Sequence, residues 1–331
     1  MKTKILYVER KASEAVSIEK VFRQIDKCLS KRDFKTAFHQ LRYPNDTLGT
    51  IKNLFSFRKA YADVYHITGH VHYIALILPK NKTVLTIHDA GILHIRSGLR
   101  RYILKKLLFD LPVKKLKFIT AVSEATKKEV VFHTKCDESK IRVIENPLQE
   151  HFQTTEKKRF ESKNPIILQV GTTANKNIYN LVKALEGISC QLNIIGELSY
   201  EISILLAEKK INYINKSNLD NEEIREEYAN ADIVTFCSTF EGFGLPIIEA
   251  QAMLTPVITS NISPLREVAG RGAALVDPYD FESIRRGILQ IINDAAFRKK
   301  LVACGLENVR RYKPDKIAFA YEELYREVSS Q

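Results

Sequence analysis

Short apolar runs alternate with longer amphipathic stretches along this chain. In the first half, runs rich in β-branched and aromatic residues predict strands. These predicted strands are Lys4–Val8, Val64–Thr68, Thr83–Ile87, Phe118–Val122 and Arg142–Ile144. Helical patterns lie between most of them.

The second half repeats the alternation more clearly. Strands are predicted at Ile166–Val170, Gln191–Ile195, Ile211–Ile214, Ile233–Phe236, Val257–Thr259 and Ala274–Val276. Helices are predicted at Ile178–Leu185, Glu222–Ala229, Ile247–Met253, Ser263–Val268 and Phe281–Val309. Alternation of helices with nearly continuous apolar strands is typical of parallel sheets covered on both faces. The expected fold class is therefore α/β, with two doubly wound parallel-sheet domains.

The domain boundary is predicted near Asn146-Pro147, because a polar stretch with few apolar residues follows it. We expect a first domain over residues 1–150, a linker over 151–164, a second domain over 165–313 and a C-terminal helix within 314–331. That helix, Lys316–Val328, is expected to pack back on the first domain. Ligands of such folds bind beyond the carboxyl ends of the strands, and two domains can present those ends to each other across a cleft.

Composition narrows the class of protein. Hydrophobic residues make up 45% and charged residues 27% of 331 residues, which excludes a disordered chain and a fibre. The five cysteines form no Cys-x-x-Cys pair, so a zinc ribbon and a disulfide framework are not expected, and reduced thiols suit the cytosol. The apolar run Ile5–Val8 is too short for a signal peptide or a membrane span. We expect a cytoplasmic protein, attached at most to the surface of a membrane.

The positive charge lies in the first half of the chain. Residues 1–155 hold 29 basic and 15 acidic residues, and residues 156–331 hold 22 and 24. This asymmetry suggests an anionic partner such as lipid headgroups, a phosphorylated acceptor or nucleic acid. An ordinary solvated basic surface would have the same composition.

The segment Ser238–Met253 carries the clearest chemistry. It follows a predicted strand, in the position where α/β folds bind ligands. Gly242 and Gly244 allow a tight turn, and Pro246 suits the first turn of a helix. The free N–H groups of that turn favour an anion such as a diphosphate. Glu241 before the turn and Glu249 inside the helix are carboxylates that can accept hydrogen bonds from sugar hydroxyls, or can simply cap the helix and face solvent.

This pair, with seven residues between the two glutamates, resembles the donor-site motif of the retaining glycosyltransferases of family 4. Those enzymes have the GT-B fold of two Rossmann-like domains. Further segments are similar to other parts of the family: Thr86–Asp89, Val122–Glu124, Ile144–Pro147, Val170–Asn177, Pro256–Ser260, Glu267–Gly270 and Val276–Pro278. The resemblance covers nearly the whole chain, and its second-domain motifs are the more specific.

The resemblance implies roles for individual residues. Glu249 would accept hydrogen bonds from the nucleotide ribose, Glu241 would lie near the donor sugar, and Lys176 would neutralise the diphosphate. The implied donor-binding residues are Gly171, Thr172, Lys176, Phe243, Gly244, Leu245 and Glu249. His88 and Glu241 are the implied catalytic residues, with His88 touching the sugar or the departing phosphate. The implied acceptor-side residues are Ser13, Ser17, Gly69, His70 and Asp89.

Two departures from the family pattern bear on phosphate binding. Thr172 or Thr173 stands where the family commonly has an arginine, and Arg266 is a candidate replacement for that charge. The loop Lys11–Ser17 contains no glycine, although many relatives have a glycine-rich loop there. Ser13 or Ser17 would then have to donate to the phosphate in place of the backbone.

No metal or other cofactor is expected. Gly171–Lys176 lacks the second glycine and the Lys-Ser/Thr pair of a P-loop, and the chain contains no Asp-x-Asp motif. His66, His70 and His72 are close in sequence, but no cysteine completes a metal site there. His70 is more readily explained as part of a strand-end loop on the acceptor side.

The segment Arg96–Lys117 has eight basic residues and one acidic residue. As a helix from about Gly98, it would place Leu99, Tyr102, Ile103 and Leu107 on one side. A basic amphipathic helix can lie on an anionic bilayer, and it can equally be a core helix with a solvated basic face.

The sequence therefore predicts a retaining, metal-independent glycosyltransferase. Its donor would be a nucleotide-diphosphate sugar and its acceptor a saccharide or lipid-linked saccharide, in cell-surface polysaccharide or lipopolysaccharide synthesis. A nucleotide-sugar 2-epimerase of the same fold is the first alternative. A basic protein that binds nucleic acid is the second, and the chain shows no recognisable binding module for it.

Overall fold

The computed structural model describes residues 2–11, 17–58, 60–94, 98–153, 156 and 159–331. It divides into two compact units. Unit 1 comprises residues 1–147 together with 313–331, and unit 2 comprises residues 148–312. Two six-stranded sheets are present in the described part of the chain, one in each unit, and every strand pair in them is parallel. The α/β fold class is confirmed.

Unit 1 has the strand order β2-β1-β3-β4-β5-β6. Its strands are β1 Thr3–Glu9, β2 Phe34–Gln40, β3 Val64–Ile67, β4 Thr83–Ile87, β5 Phe118–Ala121 and β6 Ile141–Val143. Its helices are α1 Ser17–Leu29, α2 Thr47–Ser56, α3 Leu99–Lys105, α4 Leu111–Lys115 and α5 Glu124–Thr134, followed at the far end of the chain by α13 Pro314–Ser329. A π-helical turn, Lys106–Asp110, joins α3 to α4.

Strand β2 was not predicted, because its sequence does not look like a buried strand. It is the edge strand of its sheet, and most of its residues are at least partly accessible. The central strands β3 and β4 are buried at every position. Burial on both faces selects continuous apolar residues in a central strand, whereas an edge strand tolerates polar ones.

Helix α13 packs against α1 and belongs to unit 1. The Tyr325 hydroxyl lies 2.6 Å from Nδ1 of His66 on β3, and Nε2 of His66 lies 2.7 Å from the Thr86 hydroxyl on β4. All three side chains are buried. At the surface, Arg142 pairs with Glu327 at 2.8 Å. The last helix is therefore fixed to the sheet by both buried and exposed polar contacts.

Unit 2 has the strand order β12-β11-β10-β7-β8-β9. Its strands are β7 Ile166–Val170, β8 Gln191–Ile195, β9 Tyr213–Lys216, β10 Ile233–Phe236, β11 Val257–Ser260 and β12 Ala274–Val276. Its helices are α6 Ile178–Leu185, α7 Tyr200–Glu208, α8 Asn221–Asn230, α9 Leu245–Ala252, α10 Leu265–Ala269, α11 Phe281–Asn293 and α12 Ala295–Asn308. Numbered within the unit, this is the 3-2-1-4-5-6 order of the Rossmann fold.

Two predictions for unit 2 need correction, and one helix was not predicted. The helix predicted over Phe281–Val309 is two helices, because the Asp294 carboxylate accepts from the Phe297 backbone N–H at 2.9 Å and starts α12. Strand β9 begins two residues after the predicted Ile211, since its register is set by pairing with β8. Helix α7 was not predicted, and Ser199 caps it.

The segment Arg96–Lys117 was predicted as one amphipathic helix and is interrupted by the π-helical turn. Residues 95–97 lie outside the described part of the chain. Within α3, Leu99 is 75%, Tyr102 60% and Ile103 44% exposed, so this apolar side faces outward. Leu108 and Phe109 of the turn are buried in the core instead. No helix among the described residues is long and apolar enough to cross a bilayer.

Candidate active site

Two loops of unit 2 meet where its strand order changes direction, between β7 and β10. The loop after β7 leads into α6, and the loop after β10 leads into α9. The Thr239 backbone N–H donates to the Asn175 carbonyl at 2.8 Å, and the Asn175 side-chain amide donates to the Phe240 carbonyl at 3.0 Å. In open α/β sheets this switch point is where ligands bind. The structure thus brings the predicted donor-binding loops of unit 2 together.

An ion pair joins these two loops. Nζ of Lys176 lies 2.6 Å from Oε1 of Glu241, and the Asn175 amide donates to the same oxygen at 3.1 Å. The Lys176 ammonium also lies 4.6 Å from the centre of the Phe236 ring. The lysine and glutamate side chains are 19% and 15% exposed. A cation and an anion are therefore held side by side in a partly buried position.

Gly171 is required for this arrangement. Its φ is +86°, a conformation that residues with a side chain rarely adopt. A Cβ atom at this position would lie 2.9 Å from Cε of Lys176. The Gln169 side-chain amide donates to the carbonyls of Gly171 and Lys176 at 3.3 Å each, which holds the loop between them.

Thr172 lies against the loop that follows β8. A Cβ atom on Gly196 would come within 2.9 Å of the Thr172 side chain, and Gly196 has a φ of +130°. Thr172 is uncharged, so it adds no positive charge at the place where the family commonly has an arginine. Arg266, the candidate replacement for the expected arginine, lies on α10 and bonds Glu267 at 3.0 Å and Asn261 at 3.4 Å. Its charge is engaged by its neighbours.

The turn before α9 takes the conformation that its glycine permits. Gly244 has a φ of +113° and precedes Leu245, the first residue of α9. A Cβ atom on Gly244 would lie 2.7 Å from the Leu265 side chain. The Phe243 ring is buried and meets Tyr312 edge-on at 5.7 Å, so this residue can offer a ligand only its backbone. Helix α9 presents the partial positive charge of its N-terminus beside this turn.

Glu249 lies one turn into α9 and bonds to a buried tyrosine. The Tyr228 hydroxyl, on α8, donates to Oε2 of Glu249 at 2.6 Å. Tyr228 is fully buried, and burial together with the nearby carboxylate raises its pKa well above the ordinary value. The phenol is therefore a hydrogen-bond donor at any physiological pH.

In unit 1, the predicted histidine and its neighbours follow β3 and β4. The carbonyl of Thr68 accepts a hydrogen bond of 2.8 Å from Nε2 of His88. Burial, with the neighbouring His70 as the second cause, lowers the pKa of His88 to about 4. His88 is thus a neutral imidazole at pH 7, and its Nδ1 carries a lone pair.

His70 and Asp89 are brought together beside His88. Nε2 of His70 lies 3.4 Å from Oδ2 of Asp89, and the rings of His70 and His88 are 6.3 Å apart. Asp89 also accepts from the Gly91 backbone N–H at 2.8 Å. Gly69 lies against Arg10 at the end of β1. In the sheet of unit 1, the strand order changes direction between β1 and β3, whose ends lead to Arg10 and Gly69.

The histidines that are close in sequence point to different partners. His66 bonds Tyr325 and Thr86 in the core, and His72 bonds the Leu108 carbonyl at 2.7 Å. Among the described residues, no group of three or more His, Cys, Asp or Glu side chains is placed to hold a metal ion.

Of the two serines predicted to contact phosphate, Ser13 lies outside the described residues, and nothing is described of the Ser17 side chain. Two residues that the sequence analysis missed also contribute. Asn175 and Tyr228 bond the two glutamates, and neither bond has a sequence signal, because each partner lies on another element. Asn175 could have been singled out because it precedes Lys176, but its bond to Glu241 could not have been predicted.

Two family models match adjoining parts of this chain. "Glycosyltransferase Family 4" matches residues 32–151, and "Glycosyl transferases group 1" matches residues 151–306. Together they include both glutamates, Lys176 and His88.

The chain is also similar to named relatives and to solved structures. It is 29% identical over 232 residues to the O-antigen chain mannosyltransferase RfbU of Salmonella typhimurium, covering 66% of this chain and 63% of RfbU. It is 29% identical over 228 residues to the capsular polysaccharide biosynthesis glycosyltransferase CapM of Staphylococcus aureus, covering 62% and 60%. The matches thus span less than two thirds of either relative. The crystal structure of Anabaena HepE with UDP and glucose superposes with a TM-score of 0.78 at 15% identity, covering 98% of this chain and 99% of that one, which shows the fold.

Proposed function

This chain is a glycosyltransferase of family 4 with the GT-B fold, and from that premise we propose that it transfers a sugar from a nucleotide-diphosphate donor to a saccharide or lipid-linked acceptor in O-antigen or capsular polysaccharide synthesis. One observation carries the donor assignment. At the switch point of unit 2, Lys176, the N-terminus of α9 and Glu249 supply a cation, a positive dipole end and a carboxylate. These groups match a diphosphate and a ribose. Because RfbU is a mannosyltransferase, mannose is the first sugar to test.

Charge neutralisation on the donor falls to protein groups in this proposal. Lys176 would stabilise the negative charge that develops on the departing diphosphate, and the amides near Gly244 would add to it. The resulting reaction needs no metal ion.

We assign Glu241 to the sugar hydroxyls and not to covalent attack. Its Oε1 already accepts hydrogen bonds from Lys176 and Asn175, which lowers the electron density available for forming a bond to carbon. In the retaining step the bond from C1 to the phosphate oxygen breaks, and the acceptor oxygen bonds C1 from the same face. The acceptor's proton passes to the departing diphosphate.

His88 would act as an acceptor for a sugar hydroxyl. With Nε2–H donated to the Thr68 carbonyl and a pKa of about 4, the ring carries no positive charge for the phosphate. Its Nδ1 can accept but cannot donate. Gly69, His70 and Asp89 follow neighbouring strand ends and are proposed for the acceptor.

The test is a calorimetric titration of the full chain, without metal, with UDP, GDP, ADP and their sugar conjugates. We expect micromolar binding of one base, weakened about tenfold by Glu249→Gln because a charged acceptor for the ribose is lost. NMR of the product should show the anomeric configuration of the donor. If no nucleotide binds to a folded sample, the donor assignment is wrong. Conversion of the nucleotide sugar without any acceptor would identify a 2-epimerase.

We further propose that unit 1 rests on an anionic membrane surface. The outward side of α3 is apolar, and α2 has the same feature: Leu48 is 60%, Ile51 49% and Phe55 89% exposed, while Gly49 and Asn53 face inward. The two helices are linked through the core of unit 1: α2 packs on the turn His72–Leu76, and that turn packs on Lys106–Asp110, which follows α3. Basic residues also occur on both helices: Lys52 of α2 is exposed, and Arg101 and Lys105 of α3 are partly exposed, with Lys105 paired to Asp110. Helices that lie on anionic lipid combine apolar and basic residues in this way.

Vesicle sedimentation tests this contact. The wild-type chain should bind vesicles that contain phosphatidylglycerol and not those of phosphatidylcholine alone. Phe55→Ser should weaken binding several-fold, whereas Phe319→Ser, which removes an exposed phenylalanine from α13, should not. Equal losses in both variants would count against a specific membrane face.

A further inference from the structure

Glu249 is a long, flexible side chain placed in a role that requires a fixed carboxylate. A free glutamate populates several rotamers, and restricting them costs conformational entropy. A group that already holds the carboxylate in place removes much of that cost from ligand binding. The hydroxyl of Tyr228, 2.6 Å from Oε2, is such a group.

Tyr228 is itself fixed from several directions. Its ring is fully buried and meets the Phe152 ring edge-on at 5.2 Å. Its backbone carbonyl accepts from the Thr255 hydroxyl at 3.1 Å. A phenylalanine would fill the same space, so the hydroxyl is what the bond to Glu249 requires.

The bond also leaves the carboxylate able to serve a ligand. A carboxylate offers about four acceptor positions, and the phenol occupies one of them. The raised pKa of Tyr228 keeps the phenol protonated at neutral pH, so it acts as the donor and the carboxylate as the acceptor in this bond.

We propose that Tyr228 is a positioning residue for the donor site: it fixes the Glu249 carboxylate so that the carboxylate can accept hydrogen bonds from the ribose hydroxyls of the nucleotide. The inference rests on the proposed function, since it assumes that Glu249 contacts the ribose. It predicts that removing the Tyr228 hydroxyl reduces the difference in affinity between a ribonucleotide and the same nucleotide without ribose hydroxyls.

The experiment compares UDP and GDP with their 2′,3′-dideoxy forms by calorimetry. The wild-type chain should bind the ribonucleotide that it prefers more tightly than the dideoxy form. In Tyr228→Phe, affinity for the ribonucleotide should fall about tenfold while affinity for the dideoxy form changes little, so the discrimination shrinks by the same factor. Equal losses for both nucleotides, or no change, would overturn the inference.

Tyr65→Phe is the matched control. It also deletes a buried hydroxyl, one that donates to the Ala60 carbonyl at 2.9 Å in unit 1, and nothing places it in donor binding. Its nucleotide discrimination should equal that of the wild type. Circular dichroism and thermal unfolding verify that each variant is folded.

A double variant tests the pair independently of the single substitution. Glu249→Ala leaves no side-chain acceptor for the phenol, so adding Tyr228→Phe should not lower nucleotide affinity further. An additional loss would show a purely structural role and overturn the inference. If the wild-type chain binds no nucleotide, the proposed function fails and this inference fails with it. Binding with unaltered discrimination in Tyr228→Phe overturns the inference alone.

Discussion

The ion pair between Lys176 and Glu241 predicts opposite effects on nucleotide binding when each of its two residues is substituted. In this structure Oε1 of Glu241 lies 2.6 Å from Nζ of Lys176, the ammonium that a donor diphosphate would use. A nucleotide diphosphate without a sugar must compete with the carboxylate for Lys176. We therefore expect Glu241→Gln to strengthen the binding of UDP or GDP and Lys176→Met to weaken it.

The magnitudes follow from the burial of the pair. Exposed ion pairs contribute about 0.2–1 kcal/mol to stability. Because the Lys176 and Glu241 side chains are only 19% and 15% exposed, we use the upper end of that range. At about 1 kcal/mol, removing the competing charge should tighten binding about fivefold. Loss of a charge-assisted hydrogen bond to the diphosphate, at about 2 kcal/mol, should weaken binding in Lys176→Met about 30-fold.

Calorimetry with the nucleotide diphosphate measures both constants, and an assay of sugar transfer is run in parallel. Glu241→Gln should lose transfer although it binds the nucleotide more tightly, because its contact with the donor sugar is altered. Thermal unfolding serves as the control for folding. The reasoning is refuted if Glu241→Gln weakens nucleotide binding as much as Lys176→Met does, since the pair would then act as one structural unit.

Three further predictions concern the backbone, pH and the last helix. Gly171→Ala should destabilise the fold by about 1–2 kcal/mol and weaken nucleotide binding, because the added Cβ would displace Lys176. In the control Gly187→Ala only stability should fall, since that site also has a positive φ but has open space around it. His88 is unprotonated in the folded chain down to about pH 4 but ionises near 6.5 when unfolded, so the unfolding free energy should fall as the pH drops from 6.5 towards 4; denaturant titrations of His88→Asn should show a smaller slope, and an unchanged slope would contradict the assignment. Tyr325→Phe should lower the free energy of unfolding by about 1–3 kcal/mol, because it leaves a buried histidine nitrogen of β3 without its partner; a change within error would show that the bond contributes little.

Much of the candidate donor site could be predicted from the sequence because its groups follow the strand ends of β7 and β10. Gly171, Gly244 and Pro246 reveal the turns directly, since few other residues suit those backbone conformations. The predicted strand Ile233–Phe236 and helix Ile178–Leu185 match the structure. Family membership and the fold class are confirmed, while the roles of the individual site residues stay predictions.

The sequence determined the class of fold, because burial on both faces forces continuous apolar strands and helical periods between them. It also determined where glycine turns and charged side chains occur. It did not reveal the edge strand β2, most of whose residues are at least partly accessible. It placed the start of the exposed edge strand β9 two residues too early, because the bounds of that strand depend on its register with β8. It could not give the partners of the residues proposed for catalysis and donor binding. The bonds from Tyr228 to Glu249, from Lys176 to Glu241 and from Thr68 to His88 join residues 20 to 65 positions apart. Only tertiary packing brings such residues within 3 Å. That packing decides which charges are engaged and which carboxylate is held in place, and its burial of His88 keeps that imidazole neutral.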